Sequence, residues 1–221
     1  MENIILLKHS GVLFETDHFQ VFVDVISDVS DYINSEKQIF WLVSHAHGDH
    51  FDPKVFPKGN WIHFVLSNDV SGDFLKNDVT YVAKDQLHVI DGLRVRTFDS
   101  TDCGVAFLIE CDGRSFFHSG DLNWWHWSSA SATQQHAEAV AYKQVIAQVI
   151  NYKIDYAFIP VDPRLDFAMS WAADYFVSVV QNVKVIPIHF DKSYTIVENW
   201  INQLNEGAKA HFLLLEPMNH S

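Results

Sequence analysis

The chain has 221 residues, 48% of them hydrophobic and 19% charged, and 15 Lys+Arg against 28 Asp+Glu give a formal net charge of -13. That composition excludes a globally disordered chain, and at about 100–200 residues per domain it fits a single domain over 1–221. The acidic balance weighs against a nucleic-acid partner, since a phosphate backbone calls for a basic face; the scattered set Lys54, Lys58, Lys76, Lys84, Arg94 and Arg96 is interleaved with Asp and Glu.

Short strands come first. Ile4–Leu7, Val12–Glu15 and Gln20–Val25 are apolar or alternating, with turn residues at Ser10-Gly11 and Thr16-Asp17. Ile39–Val43 is a continuous apolar run, as expected of a strand buried on both faces. Ile62–Leu66, Thr80–Val82, Leu87–Ile90 and Leu93–Phe98 follow, with Asp91-Gly92 as a hairpin turn. Val105–Glu110 and Arg114–His118 flank a second hairpin signal, Asp112-Gly113. The period then changes. Ala137, Ala141, Val145 and Val149 recur at i, i+4 and predict an amphipathic helix from about Thr133 to Tyr152. Tyr156–Pro160 reads as a strand, Ser170 to about Gln181 as a helix capped by Ser170, and Val183–Ile188 as a strand. Tyr194–Asn205 reads as a helix stopped at Gly207, and Phe212–Leu215 as a last strand. Strands early and strand–helix alternation late predict sheets covered by helices, an α/β or α+β layered domain.

No apolar run reaches the roughly 18 residues needed to span a bilayer. The N-terminus, MENIILLKHSG, lacks the basic region and small-residue cleavage site of a signal peptide. A cytoplasmic protein with no membrane partner is the expectation. Cys103 and Cys111 are too few for a disulfide framework and read as reduced, mostly buried thiols. Oligomeric state is not legible.

Histidine is the unusual residue, with 13 copies. The segment Ser44-His45-Ala46-His47-Gly48-Asp49-His50 directly follows the buried strand Ile39–Val43. Imidazole and carboxylate suit Zn²⁺, Mn²⁺ or Fe²⁺. Ligands two apart on a turn can converge on one ion, and Asp49 and His50 can face a second. Other candidate groups close other strands: Asp102 after Leu93–Phe98, His118 and Asp121 after Arg114–Phe117, and His189 after Val183–Ile188. In layered α/β folds that rim is where ligands bind. Asp162-Pro163-Arg164 shares it, and Arg164 reads either as a structural ion pair or as a contact for a substrate carboxylate or phosphate.

His45-x-His47-x-Asp49-His50, then Gly120-Asp121, then His189 resembles the metal-binding signature of the metallo-β-lactamase fold hydrolases. Ser100–Phe107 and Gly120–Trp127 resemble an uncharacterised bacterial branch of that superfamily. The resemblance implies a four-layer αβ/βα sandwich, with two mixed sheets face to face, helices outside, and the metals at one edge. It matches His45 and His47 to the first metal, Asp49, His50 and His189 to the second, and Asp121 to the bridging carboxylate. The usual third His of the first metal is missing from the Ser100–Gly104 loop. Asp102 or His126 could replace it, or the first site is weak. His118 reads as a support for a ligand or as a strand-end hydrogen-bonded group. His9, His18, His63, His88, His136, His211 and His220 have no constellation and read as structural or surface groups.

The implied cofactor is one or two divalent ions, zinc foremost, with manganese and iron as alternatives. A bound ion lowers the pKa of its water to about 7 and polarises the bond under attack. The expected activity is metal-dependent hydrolysis of a small ester, lactone, amide or phosphoester. Asp49 and Asp121 are the catalytic carboxylates, and His126, Trp125 and Arg164 contact the substrate. The alternatives are a phosphodiesterase or nuclease of the same fold, a di-iron oxidoreductase, and a non-catalytic metal- or ligand-binding module with a depleted first site.

Overall fold

In the computed structural model, which describes residues 3–56, 61–72 and 78–218, the Asp112-Gly113 turn takes left-handed backbone at both positions, with φ of 47° and 73°. This is the geometry that lets a two-residue loop follow the twist of its flanking strands. Lys58, Lys76 and His220 lie outside the described residues.

Two six-stranded mixed sheets form the frame. The first runs in chain order: β1 (Asn3–Leu6), β2 (Val12–Glu15), β3 (Phe19–Val23), β4 (Gln38–Val43), β5 (Ile62–Ser67) and β6 (Val79–Val82). Its β1–β3 pairings are antiparallel and its β3–β6 pairings parallel. The second contains β7 (Leu87–Ile90), β8 (Leu93–Phe98), β9 (Ala106–Cys111), β10 (Arg114–His118), β11 (Tyr156–Pro160) and β12 (Lys184–Ile188), ordered β12-β11-β10-β9-β8-β7. Its β7–β10 pairings are antiparallel, and β10–β11 and β11–β12 are parallel.

Strand β4 shows why a continuous apolar run was needed. Phe40 and Leu42 join the core between the sheets, whereas Ile39, Trp41 and Val43 join a second core on the outer side. Phe14 of the first sheet stacks on Phe116 of the second, with ring centroids 3.9 Å apart. On its other face the second sheet meets helices: Phe117 stacks on Phe176 of the helix Trp171–Val179. Over the outer side of the first sheet, the described residues supply a turn of 3-10 helix (Ser30–Tyr32) and loops. Cys111 is buried and Cys103 partly so, and both are free thiols.

Helix α1 (Ala132–Val149) starts at a capping box in which the Ser131 side chain accepts from the Gln134 backbone. Its buried face is Tyr142, Val145, Ile146 and Val149, and Ala137 of the predicted stripe is exposed. Helix α2 (Trp171–Val179) does begin after Ser170, but that hydroxyl donates to Asp174 Oδ2 rather than capping the backbone. Helix α3 (Tyr194–Gln203) ends before Gly207, which lies inside the short helix α4 (Glu206–Lys209) instead of stopping α3. The predicted last strand reduces to one parallel bridge, Val185 to Phe212. Among the described residues no helix is long and apolar enough to cross a membrane.

Candidate metal centre

Parallel strands deliver their C-terminal ends to one edge. The β4 end carries His45, His47, Asp49 and His50; the β10, β11 and β12 ends carry Asp121, Asp162 and His189; the β8 end carries Asp102. Two groups of donor atoms form there, each within 4.8 Å of one another: His45, His47, Asp102 and Asp121, and His9, Asp49, His50 and His189.

Asp121 stands between the groups. Its Oδ2 is 3.7 Å from His45 Nε2, and its Oδ1 is 3.0 Å from His50 Nε2 and 3.3 Å from His189 Nε2. Burial alone would raise the Asp121 pKa, but the imidazoles of His189 and His50 beside it hold it well below the carboxylate range. Asp102 Oδ2 lies 3.5 Å from His47 Nδ1, and both side chains are roughly half exposed.

The structure itself shows that ions fit. His9 Nε2, His45 Nε2, His50 Nε2 and Asp121 Oδ1 are buried without an aligned hydrogen-bond partner. Such orphans are costly unless something satisfies them. Three of the buried imidazoles have an acceptor placed at Nδ1. The Nδ1–H of His50 donates to Asp24 Oδ2 at 2.8 Å, that of His9 to Asp191 Oδ1 at 2.8 Å, and that of His45 to Ser44 Oγ at 3.0 Å. His189 Nδ1 faces Asp162 Oδ2 at 3.2 Å. The Nε2 atoms of His9, His45, His50 and His189 all face inward, where an ion could take the place of a proton, the arrangement of metal-ligating histidines held at Nδ1 by a backing group.

Asp24 is fully buried and follows β3. Its Oδ1 accepts from Ser44 N at 2.7 Å and its Oδ2 from Ser44 Oγ at 2.6 Å. Desolvation opposes its charge, yet His50, with His118 and His45 behind it, holds its pKa down. Conversely, burial pulls His50 down but Asp24 and Asp121 push it up to about 10. His189 is pushed up to about 8 against burial by Asp121 and Asp162. Asp162, buried but bonded to His189 and Arg164, sits at about 2.

These groups lie on a frame that matches known folds. A profile described as a beta-lactamase superfamily domain matches residues 3–189. The chain belongs to that family. Igni18, a novel metallo hydrolase from the hyperthermophilic archaeon Ignicoccus hospitalis KIN4/I, shares 16% identity at a TM-score of 0.67, covering 99% of this chain and 96% of that one. The metallo-beta-lactamase fold protein YhfI from Bacillus subtilis shares 13% identity at a TM-score of 0.63, covering 96% and 92%. CmlA, a diiron beta-hydroxylase from Streptomyces venezuelae, shares 14% identity at a TM-score of 0.54, covering 85% of this chain and 44% of that one. A comparison with curated proteins finds no match.

Within this metallo-β-lactamase fold, His45, His47, Asp49, His50, Asp102, Asp121 and His189 are brought together, and Asp102 falls in the first group. Beside them opens a cleft of about 340 Å³ whose lining includes Asp49, Asp102, Trp125, Trp127, Glu138 and Arg164. Trp125 Nε1 donates to the Asp121 carbonyl at 3.2 Å, and its ring stacks on Trp127 at 5.8 Å. Arg164 forms the ion pair with Asp162, and its side chain remains 58% exposed at the cleft. His126 is a correction: its ring packs on Trp171 at 4.5 Å and near Phe167, so it belongs to an aromatic cluster and not to the donor groups. His118 accepts from Gly120 N at Nδ1 and faces the Ser10 carbonyl through Nε2, which holds the turn before Asp121.

Two residues escaped the sequence reading. His9, taken as structural or surface, is in the second group. Asp24 was not singled out, although the strand-end rule that found Asp121 and His189 applies equally after β3.

Proposed function

We propose that the protein is a hydrolase that uses two divalent ions, held by His45, His47, Asp102 and Asp121 and by His9, Asp49, His50, His189 and Asp121. The observation that carries this reading is the division of Asp121, one oxygen facing each group. Ions bound there would supply Lewis-acid polarisation and a water acidified toward about pH 7. Asp49, half exposed at the cleft, can accept a proton from the attacking water. Trp125 and Trp127 give the cleft an apolar wall that excludes water from one side of the substrate. Arg164, already anchored by Asp162, presents its exposed guanidinium edge to an anionic substituent. The cleft volume suits a small ester, lactone, amide or phosphoester.

Metal analysis followed by a panel of lactone, thioester and phosphodiester substrates tests this reading. Asp121→Ala should lose both ions and all hydrolysis, and Asp102→Ala only the first ion. Full metal content in Asp121→Ala would refute it. A second reading, iron-dependent oxidation, draws on the two-His, carboxylate-containing first group, which also suits iron. Iron content with oxygen consumption and no hydrolysis would favour it.

A further inference from the structure

We infer that His9 is a fifth protein ligand of the second ion, making that position closed and retentive while the first stays open to substrate. This deepens the two-ion reading and rests on it.

His9 sits in the turn between β1 and β2, far in sequence from the other donors. Its imidazole is buried, and its Nε2 has no hydrogen-bond partner. That atom lies 3.4 Å from Asp49 Oδ2, and the ring is 4.1 Å from His189 and 5.4 Å from His50 between centroids. Asp191 takes the Nδ1 proton, so the inward nitrogen is a lone pair.

The backbone gives independent support. Among the described residues, nine non-glycine positions have positive φ, and seven of them are Asp or Asn. Asp, Asn and His are the side chains most often found in left-handed backbone, and even for them it is uncommon. The two exceptions are His9 at 59° and His189 at 67°. The His9 carbonyl accepts the His189 N–H at 3.3 Å, so the two left-handed residues hold each other. Strained backbone that presents two imidazoles to one point is the kind found at functional sites.

The groups are therefore unequal. The second offers three imidazole nitrogens, Asp49 and one oxygen of the shared Asp121, more than the four ligands of tetrahedral zinc. The first offers two imidazoles and two carboxylates, and two of its members, His47 and Asp102, are roughly half exposed. Closed ligand sets retain their ion, whereas catalytic ones keep a position free.

The test loads the full-length protein with Co²⁺, then follows chelator-driven loss by metal analysis and coordination by visible absorption. Wild type should hold two equivalents, one lost slowly, with the weak absorption of a five- or six-coordinate ion. His9→Ala should lose the slow equivalent at least about tenfold faster, with absorption intensified toward the four-coordinate type. Asp191→Ala, at an exposed side chain, keeps the test alive if His9→Ala does not fold; the slow loss should quicken by about tenfold. A folded His9→Ala with unchanged loss rates and spectrum overturns the inference and leaves the two-ion reading standing. Selective loss of the fast equivalent also overturns it. If wild type binds no cobalt, both readings fall.

Discussion

Asp24→Asn changes one heavy atom in a fully buried side chain and should disable the centre from behind. The amide keeps its shape, and Oδ1 can still accept from Ser44 N at 2.7 Å. The NH₂ group, however, replaces the oxygen that accepts from Ser44 Oγ and His50 Nδ1. His50 must then accept at Nδ1, which moves its proton to Nε2, the atom turned toward Asp121. The ligand is presented in the wrong tautomer. Loss of such a backing carboxylate costs about 10–100-fold in metal affinity, or about 1.4–2.7 kcal/mol. Losing charge-assisted hydrogen bonds costs the metal-free fold about 1.5–3 kcal/mol, a Tm drop of roughly 3–12 °C for a chain of this size. Chelator competition gives the affinity, nitrogen NMR of the imidazoles gives the tautomer, and thermal unfolding gives the stability. Wild-type affinity with the His50 proton still on Nδ1 would refute the reasoning.

Three further outcomes follow from the same geometry. Without metal, His50 at about 10 and His189 at about 8 both carry protons at pH 7. Metal uptake there should release close to two protons, raising apparent affinity with pH, and calorimetry in buffers of different ionisation enthalpy counts them. Both pKa values are raised above an unfolded value of about 6.5, so their contribution to metal-free stability is complete below pH 6.5 and fades as pH passes through 8 and 10; denaturant midpoints that rise over this window would contradict it. Gly104 has φ of 67°, and an added Cβ would stand 1.9 Å from Ser44 O and 2.6 Å from His45 Cβ. Gly104→Ala should therefore displace His45 and release the first ion before the second, read as metal stoichiometry after dialysis; retention of both would show that the loop can yield.

Much of this centre was legible because the chemistry clusters in the chain. His45, His47, Asp49 and His50 fall within one turn after a strand whose unbroken apolar run announced burial on both faces. Asp121, His189 and Asp102 could be added because strand ends share a rim. Helix ends were less legible. Gly207 was taken for a stop and lies within a helix, because asparagine at 205 caps a new start. His126 misled because proximity to Asp121 in sequence says nothing of direction; the chain turns its ring toward Trp171.

The sequence by itself determined the strand periodicity, the family's ligand motif and the residue types able to hold an ion, since these are properties of short segments. Only the tertiary structure decided which distant groups complete them. His9 reaches the centre because β12 ends against the β1–β2 turn. Asp24 lies beneath His50 because β3 runs parallel to β4. Asp121 can divide its oxygens because the two sheets bring both groups to one edge. Those are contacts between segments, and spacing along a single chain does not encode them.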